Sequence, residues 1–300
     1  MKLTQLRHLI AVAELGGLRR AARHLGLAQP AITRSIRDLE HELGATLFER
    51  SASGMMLTPI GKAFVRRSAA VQVELERARD EVQQLKGLST GTVSIGLSTA
   101  PHVLMLPKVL DPFRRRYPDV RLRIAEGLFP ALEAEVRDGS IDFYVGPLSE
   151  DRLAGEYVVE KLFDNHRVVL CRRGHPLAGV TTLGELAEAR WVTTSVTTNS
   201  EAELFPLFER HGLPNPVIAV QAQSALSMIT VVASSDILAM LPRQWLDFTR
   251  TGRLLTHISV REELAAPAIC IVTRTSLPLT PVAGDLCDLF RRSALNQADT

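Results

Sequence analysis

The stretch LRRAARHLGLAQPAITRSIRDLEHEL, residues 18–43, decides the fold of the first part of this chain. It contains two short helical patterns. The first spans about Leu18 to Leu25, and the second begins at Gln29 or Pro30, because a proline in the first turn of a helix has no N–H that would need a partner. Gly26 can adopt the positive backbone angle that a tight turn requires. The stretch therefore predicts two helices that cross through a short turn.

The second of these helices has two different faces. An apolar face is predicted from residues that recur at helical spacing, namely Ile32, Ile36, Leu39 and Leu43. The opposite face carries Gln29, Thr33, Arg34 and Arg37. Glutamine and arginine pair with adenine and guanine edges in a major groove, so the pattern indicates a DNA-binding helix-turn-helix. The alternative interpretation is a helix hairpin whose arginines form a solvated face.

The distribution of charge favours the DNA-binding interpretation. The chain of 300 residues has a formal net charge of +2. Residues 1–67 hold eleven Lys or Arg and five Asp or Glu, a net charge of +6, which leaves −4 for the remainder. A basic segment attached to a mildly acidic body is typical of a protein that holds a polyanion at one end only.

Over its full length the chain resembles the LysR-type transcriptional regulators. The resemblance rests on the run Leu18 to Ile36, then Leu39-Glu40, Leu43-Gly44, Leu47-Phe48, Arg50 and Leu57-Thr58-Pro59-Ile60-Gly61. It implies an α/β chain with an α-rich N-terminal module: a winged helix-turn-helix at residues 1–60, a dimerising linker helix and hinge at 61–90, and an inducer-binding domain at 91–300. That last domain would resemble periplasmic binding proteins, with lobe I at about 91–161 and 267–300 and lobe II at about 162–266.

The same resemblance implies which residues touch DNA. The residues concerned are Arg19, Gln29, Pro30, Thr33, Arg34, Arg37, Arg50, Ser53 and Thr58, with Arg50 and the hairpin from Ser51 to Leu57 forming a wing over the phosphates. The chain departs from the family pattern in three ways. Ala28 and Gly17 stand where helix-capping residues are usual, and Ser51 and Ser53 stand where basic wing residues are frequent. Loss of a cap costs about 1 kcal/mol.

The segment that follows predicts self-association. An apolar seam at alternating four- and three-residue spacing runs through Phe64, Ser68, Val71, Leu75, Ala78, Val82 and Leu85. It predicts one helix from about Gly61 to Lys86, with residues 87–91 as a hinge. Because the seam would otherwise lie in water, we expect a homodimer. The hypothesis that an inducer controls the protein, motivated by the family resemblance, adds a homotetramer. A two-fold protein predicts palindromic DNA half-sites about 34 Å apart or a multiple of that, and RNA polymerase is a further candidate partner.

From Thr92 onward short β runs alternate with helices, which predicts mostly parallel sheets in two lobes. The predicted strands are Val93–Leu97, Val120–Ile124, Ile141–Val145, Val168–Cys171, Val217–Val220, Ile237–Leu241 and Ile269–Thr273. The predicted helices are Val103–Arg116, Ala131–Asp138, Ser200–His211, Leu226–Ala233 and Pro281–Arg292. The chain is expected to cross between lobes near Glu160–Phe163 and Ala265–Pro267.

In such folds ligands bind beyond the carboxyl ends of the strands. The sequence offers three polar runs there and an apolar wall, and the predicted effector residues are Ser98, Thr99, Ala100, His102, Phe129, Pro130, Thr193, Thr194, Ser195, Gln221, Ser224 and Pro242. For any single hydroxyl the alternative is helix capping. Since the run at Ser98 contains no cation, a monoanion and a neutral polar ligand both fit. We expect no cofactor other than a small organic, anionic inducer.

Two segments narrow the resemblance within the family. Leu128-Phe129-Pro130-Ala131 and Met240-Leu241-Pro242-Arg243 are similar to regulators that respond to aromatic sulfonates such as toluenesulfonate, and more loosely to activators of threonine degradation.

Catalytic patterns are not found in the sequence. Cys171, Cys270 and Cys287 have no paired spacing, the eight histidines include no metal-binding pair on one helix, and no serine lies in a nucleophile elbow. We therefore expect no enzyme and no metal site, although an enzyme fused to a DNA-binding module is an alternative. Another alternative is a secreted solute-binding protein, but residues 1–15 do not form a signal peptide and no run is long enough to span a membrane. The expected compartment is the cytoplasm, on the nucleoid.

Overall fold

A computed structural model describes residues 1–51, 54–148, 155–194, 204–222, 224–247 and 254–295. The chain divides into two compact units, one formed by residues 1–86 and the other by nearly all of residues 87–300.

The first unit is mostly helical. Its elements are α1 (Leu3–Leu15), α2 (Leu18–Leu25), α3 (Gln29–Leu43), β1 (Phe48–Ser51), β2 (Gly54–Leu57) and α4 (Pro59–Leu85). Strands β1 and β2 form an antiparallel hairpin in which Arg50 lies opposite Met55. The predicted bounds of α2 and the predicted start of α3 are confirmed, and Gly26 follows α2 with a φ of 66°.

The core of this unit lies between α1, α2 and α3. Ile32, Ile36 and Leu39 are buried there against residues of the other two helices, as predicted. The prediction for Leu43 is wrong, since this side chain is 38% exposed. Leu43 is the last residue of α3, one turn beyond Leu39, and therefore lies at the rim of the core.

Helix α4 confirms the prediction of one long linker helix of 27 residues. Its first turns pack on the core of the first unit, where Phe64 contacts the core residues and Ser68 is buried. Further along α4, apolar side chains of the predicted seam are exposed to solvent in the single chain. Val71 is 50% exposed, Val82 is 48% exposed and Leu85 is 74% exposed.

The second unit contains ten strands among the described residues. They are β3 (Thr92–Leu97), β4 (Arg121–Glu126), β5 (Phe143–Pro147), β6 (Tyr157–Phe163), β7 (Arg167–Arg172), β8 (Arg190–Thr194), β9 (Val217–Ala222), β10 (Leu238–Pro242), β11 (Leu255–Ile258) and β12 (Ile269–Arg274). The helices are α5 (Thr99–Leu104), α6 (Leu106–Arg116), α7 (Phe129–Asp138), α8 (Phe205–Arg210), α9 (Ala225–Ser234), α10 (Gln244–Asp247) and α11 (Pro281–Leu295).

These strands form two five-stranded sheets, one in each lobe. Lobe I has the order β4-β3-β5-β12-β6, and lobe II has the order β11-β7-β10-β8-β9. In each sheet four strands point the same way and one, β12 or β7, is reversed. The chain passes between the sheets in the segments 164–166 and 259–268, where His166 and Ala265 form an isolated bridge.

Several predicted elements need correction. Residues 160–163 belong to β6 and not to a crossing; β6 is an edge strand interrupted by Glu160 and Lys161, so its pattern was not recognised. The predicted helix at Val103–Arg116 is two helices, α5 and α6, that meet at Met105. Pro107 lacks the N–H that an unbroken helix would need there. Strands β8 and β11 and helix α10 were not predicted. Of the helix predicted at 200–211, the described part forms α8.

Candidate functional site

The exposed face of α3 presents the predicted polar side chains together. Gln29, Pro30, Arg34 and Arg37 are exposed, and Thr33 is half-buried. With Asp38 they border one open groove on the surface. Asp38 was not predicted, because a single acid on a basic face resembles an ordinary solvated residue. It adds a negative charge to a surface whose other charged side chains, Arg34 and Arg37, are donors only, and an acidic side chain can accept from the cytosine amino group.

The start of α3 is formed without a side-chain cap. Ala28 occupies the N-cap position with an extended backbone and makes no capping hydrogen bond, as its sequence predicts. Pro30 lies in the first turn, where its missing N–H leaves no donor unpaired. The Thr33 hydroxyl donates to the Gln29 carbonyl at 3.0 Å, so this face of the first turn is held locally.

A junction behind the groove ties three elements together. The Glu40 carboxylate of α3 accepts from the backbone N–H of Leu47 at 2.7 Å and of Phe48 at 3.2 Å, at the start of β1. The Thr58 hydroxyl donates to the Thr46 carbonyl at 2.8 Å and accepts from the Gly61 N–H at 2.9 Å, which caps α4. Helix α3, the β1–β2 hairpin and helix α4 are thereby joined by hydrogen bonds.

The structure describes only some of the remaining residues that were predicted to contact DNA. Arg19 is exposed on α2. Arg50 lies in β1, but its side chain and the whole of Ser53 lie outside the described residues. The hydroxyl of Thr58 is engaged inside the first unit, and we therefore leave Thr58 out of the DNA-contacting set proposed below.

The second unit contains a cavity of about 130 Å³ between its two lobes. It lies beyond the carboxyl ends of β3, β8 and β10. The lining residues include Ser98, Thr99, Ala100, Glu126, Leu128, Asn165, Arg167, Thr193, Leu204, Ser224, Met228, Met240, Leu241, Pro242 and Ile269. The predicted convergence of polar runs from both lobes is thus present for Ser98, Thr99, Thr193 and Ser224.

Three polar oxygens in this wall are buried without a hydrogen-bond partner among the described residues. They are Ser98 Oγ, Thr193 Oγ1 and Asn165 Oδ1, in residues that are 2%, 6% and 4% exposed. Ser98 precedes α5 but makes no capping hydrogen bond, whereas the Ser224 hydroxyl caps α9 by accepting from the Ser227 N–H at 3.2 Å. The capping alternative therefore holds for Ser224 and not for Ser98. Burying an unpaired polar atom is costly, which favours a bound polar group here.

The cavity wall also contains two charged side chains that the sequence analysis missed. Glu126, the last residue of β4, comes from lobe I and is exposed. Arg167, the first residue of β7, comes from lobe II and is half-buried. Arg167 lies opposite Pro242, a predicted cavity residue, in the neighbouring strand β10. Sequence reasoning could not find Arg167, because this pairing depends on the order of the strands in the sheet.

Other predicted effector residues lie elsewhere. Phe129 is 2% exposed and stacks edge-on with Tyr144 and Tyr157 in the core of lobe I, so it does not form a wall of the cavity. Pro130 and Gln221 are exposed, and neither they nor His102 border the cavity. The Thr194 side chain and Ser195 lie outside the described residues.

Burial also raises the pKa of the Tyr144 hydroxyl far above its ordinary value, so Tyr144 stays neutral. Among the described residues there is no cluster of three or more His, Cys, Asp or Glu that could hold a metal ion. In the same residues no helix has the length and apolar character needed to cross a membrane.

Two family models match the chain. Residues 3–62 match "Bacterial regulatory helix-turn-helix protein, lysR family", and residues 86–295 match "LysR substrate binding domain". The chain belongs to the LysR family. As a LysR-type regulator it is a DNA-binding regulator of transcription with an effector-binding domain, and the family consists of transcriptional regulators.

Relatives match this LysR-type regulator over most of their length. The HTH-type transcriptional regulator GbpR of Azospirillum brasilense is 28% identical over 94% of the chain and 84% of its own length. The SDS degradation transcriptional activation protein of a Pseudomonas strain is 30% identical over 94% of the chain and 92% of its own length. The crystal structure of CbnR, a LysR family transcriptional regulator, is 20% identical, covers 98% of the chain and 99% of CbnR, and has a TM-score of 0.73. It confirms the predicted fold.

Proposed function

We propose that this LysR-type regulator contacts operator DNA through α3 and the hairpin, and that a small organic acid bound in the 130 Å³ cavity controls it. The observation that carries the first part is the groove on α3. Gln29, Arg34 and Arg37 project from one side of a helix whose other side is buried. The proposed DNA-contacting set also includes Arg19, Pro30, Thr33, Arg50 and Ser53.

The proposed controlling ligand is supported by the composition of the cavity wall. Ser98 and Thr193 supply hydroxyls from opposite lobes, and Arg167 supplies a cation that can pair with a carboxylate or sulfonate. Helix α5 has only six residues, so we base the anion site on these side chains and not on its N-terminus. Met228, Met240 and neighbouring apolar residues can enclose a compact apolar group.

The ligand would act by changing how the lobes pack. Helix α5 belongs to lobe I and provides Thr99 to the cavity, while Val103 of the same helix packs on the core of lobe II. A ligand that binds one arrangement of the lobes more tightly than the other shifts their equilibrium by that difference in affinity. In a dimer or tetramer, this shift would alter the placement of the DNA-binding helices.

We further infer that two copies associate through α4, in the cytoplasm, on DNA. The support for association is the row of apolar side chains on α4 that the single chain leaves exposed. We retain the functional division at residues 1–60, 61–90 and 91–300, and propose that the protein binds its ligand without turning it over.

The DNA-binding surface is tested with the full-length protein and a genomic fragment that the wild-type protein selects. Arg34→Ala is expected to weaken binding to that fragment by about 1 to 3 kcal/mol if Arg34 reaches a base edge. The control is Arg115→Ala, on α6, where the arginine pairs with Asp111 at the surface. Equal affinities of the wild type and Arg34→Ala for the fragment would show that Arg34 is not part of the DNA-binding surface.

The cavity is tested by thermal shift of the full-length protein against a panel of small organic acids, since a ligand of the folded state raises the melting temperature by mass action. Ser98→Ala is expected to reduce the shift caused by the best acid. Operator footprints and DNA bending that do not change with any bound acid would contradict control from this cavity.

A further inference from the structure

We propose that the ligand of this cavity is a small amino acid, that is, an organic acid that also carries a positively charged amino group. This inference rests on the proposed function above, because it assigns the chemistry of the ligand that the same cavity would take. It begins from the two charges of opposite sign that the two lobes bring to one cavity, Glu126 and Arg167.

A ligand with a carboxylate as its single polar group can pair with the hydrogen-bond donors of the cavity wall but not with its acceptors. It has acceptors for Arg167 and for the hydroxyls of Ser98 and Thr193, but it has no hydrogen to donate. Glu126 and the buried Asn165 Oδ1 can only accept, and Asn165 Oδ1 has no hydrogen-bond partner among the described residues. A carboxylate alone would leave Asn165 Oδ1 unpaired and would add a second negative charge near Glu126.

An amino acid can pair with both the donors and the acceptors of the cavity wall. Its carboxylate pairs with Arg167, and its ammonium group has three hydrogens for acceptors such as Glu126 and Asn165 Oδ1. Because Glu126 comes from lobe I and Arg167 from lobe II, one zwitterion contacts a charge of each lobe. The ligand would therefore favour a particular lobe arrangement, which is what the proposed control requires.

The size of the cavity limits the side chain of the ligand. A cavity of roughly 150 Å³ lined by apolar residues holds benzene, a molecule of six heavy atoms, and the cavity here is about 130 Å³. The apolar part of its wall comes from Leu204, Met228, Met240 and Ile269. The apolar part of the wall favours an amino acid with a compact apolar side chain over one whose side chain carries a further charge, and the volume favours the smallest members of such a series.

The experiment uses isothermal titration of the full-length protein with matched compounds. The amino-acid series is 2-aminobutanoate, valine, leucine and methionine. Each is compared with the acid that lacks the amino group, with the 2-hydroxy acid, and with the amine that lacks the carboxylate. We expect the tightest ligand to be an amino acid that binds at least about tenfold more tightly than each matched compound, since each matched compound lacks one of the two charges that would face Glu126 and Arg167.

Variants then assign the preference to a residue. Glu126→Gln is expected to bring an amino acid and its matched acid to within about threefold of each other, because the variant removes the negative charge that favours ammonium. Glu126 is exposed, so the substitution leaves the fold intact. The control is Glu135→Gln, which removes an exposed carboxylate on α7 outside the cavity and is expected to retain the full preference.

The outcomes separate this inference from the proposed function. If an acid without the amino group, or a 2-hydroxy acid, binds as tightly as its amino acid, the inference is wrong and the proposed acid-binding cavity stands. If no amino acid binds but another organic acid of the panel does, the inference is wrong and the proposed function stands; if no organic acid of the panel binds, both are wrong. If amino acids bind preferentially but Glu126→Gln keeps the full preference, the assignment to this cavity wall is wrong.

Discussion

The carboxylate of Glu40, on α3, accepts a hydrogen bond of 2.7 Å from the backbone N–H of Leu47. It also accepts one of 3.2 Å from Phe48, the first residue of the hairpin. Leu47 and Phe48 are buried, so neither N–H has water as a ready substitute. Glu40 is thus the side chain that joins α3 directly to the start of the hairpin by hydrogen bonds.

Glu40→Ala is expected to lower the free energy of unfolding by about 1 to 3 kcal/mol, because buried donors lose their acceptor. Denaturation in urea measures the change. Glu42→Ala is the matched control two residues away, since Glu42 pairs with the amino terminus at the surface, and it is expected to cost less than about 1 kcal/mol. Equal losses in the two variants would contradict the role given to Glu40.

Gly61→Ala is expected to destabilise the first unit strongly. A Cβ at position 61 would lie 2.0 Å from the Leu47 carbonyl oxygen, and this atom belongs to the backbone of the junction. The melting temperature measures the loss. Gly284→Ala serves as the control, because Gly284 is in helix α11 with open space around it, and alanine there is expected to stabilise by up to about 1 kcal/mol. A Gly61→Ala protein as stable as the wild type would show that the backbone around Leu47 can shift to accommodate the added Cβ at no cost in stability.

Ala28→Ser is expected to stabilise the protein by about 1 kcal/mol by providing the missing cap of α3. Ala28 already has the extended backbone that an N-cap residue adopts. Thermal denaturation tests the gain. Ala31→Ser, also exposed but inside the first turn of α3, is expected to give no gain because serine there cannot cap. A gain of the same size at both positions would point to a cause other than capping.

The stability of the first unit is expected to fall in acid through His8. Burial, and then the nearby Arg7, lower the pKa of His8 from its ordinary value of 6.5, and its Nδ1 lies 2.7 Å from the Ser35 hydroxyl on α3. The unfolded chain therefore takes up this proton at a higher pH than the folded chain. The contribution of His8 is complete above pH 6.5 and is lost as the pH falls below 6.5.

This loss is measured by urea denaturation of the wild type and His8→Asn between about pH 7.5 and pH 5. We expect the wild type to lose more stability than the variant over that range. Parallel curves for the two proteins would show that His8 is not responsible.

Val82→Glu is expected to dissociate the proposed dimer, because it places a charge in the apolar row on α4. Val82 is exposed in the single chain, so the variant is expected to remain folded. Light scattering after size-exclusion chromatography gives the mass. Gln83→Glu adds the same charge one residue away from the seam and is expected to leave the dimer intact. A dimer that survives Val82→Glu would exclude this part of α4 from the interface.

The sequence predicted the first unit more closely than the second because its signals are local. Helical spacing around Ile32 and the turn at Gly26 each involve residues close in the chain. The same local pattern could not show that Leu43 lies at the rim of the core, since burial there depends on where the other helices end.

The effector cavity was predicted only in part, because its wall is assembled by sheet topology. Ser98 and Thr193 follow or end strands, so they could be proposed from the pattern alone. Arg167 lies at the beginning of β7, a strand that runs against its neighbours, and Asn165 lies in a crossing segment. Phe129 was assigned to the cavity from its neighbours in sequence, but α7 turns its ring into the core of lobe I.

The two segments that pass between the lobes lie side by side, with His166 bridged to Ala265. Two adjacent connecting segments form a hinge, which is expected to favour rotation of one lobe against the other over sliding. We therefore expect related compounds that enter this cavity to shift the same equilibrium between lobe arrangements to different degrees, each by its own difference in affinity.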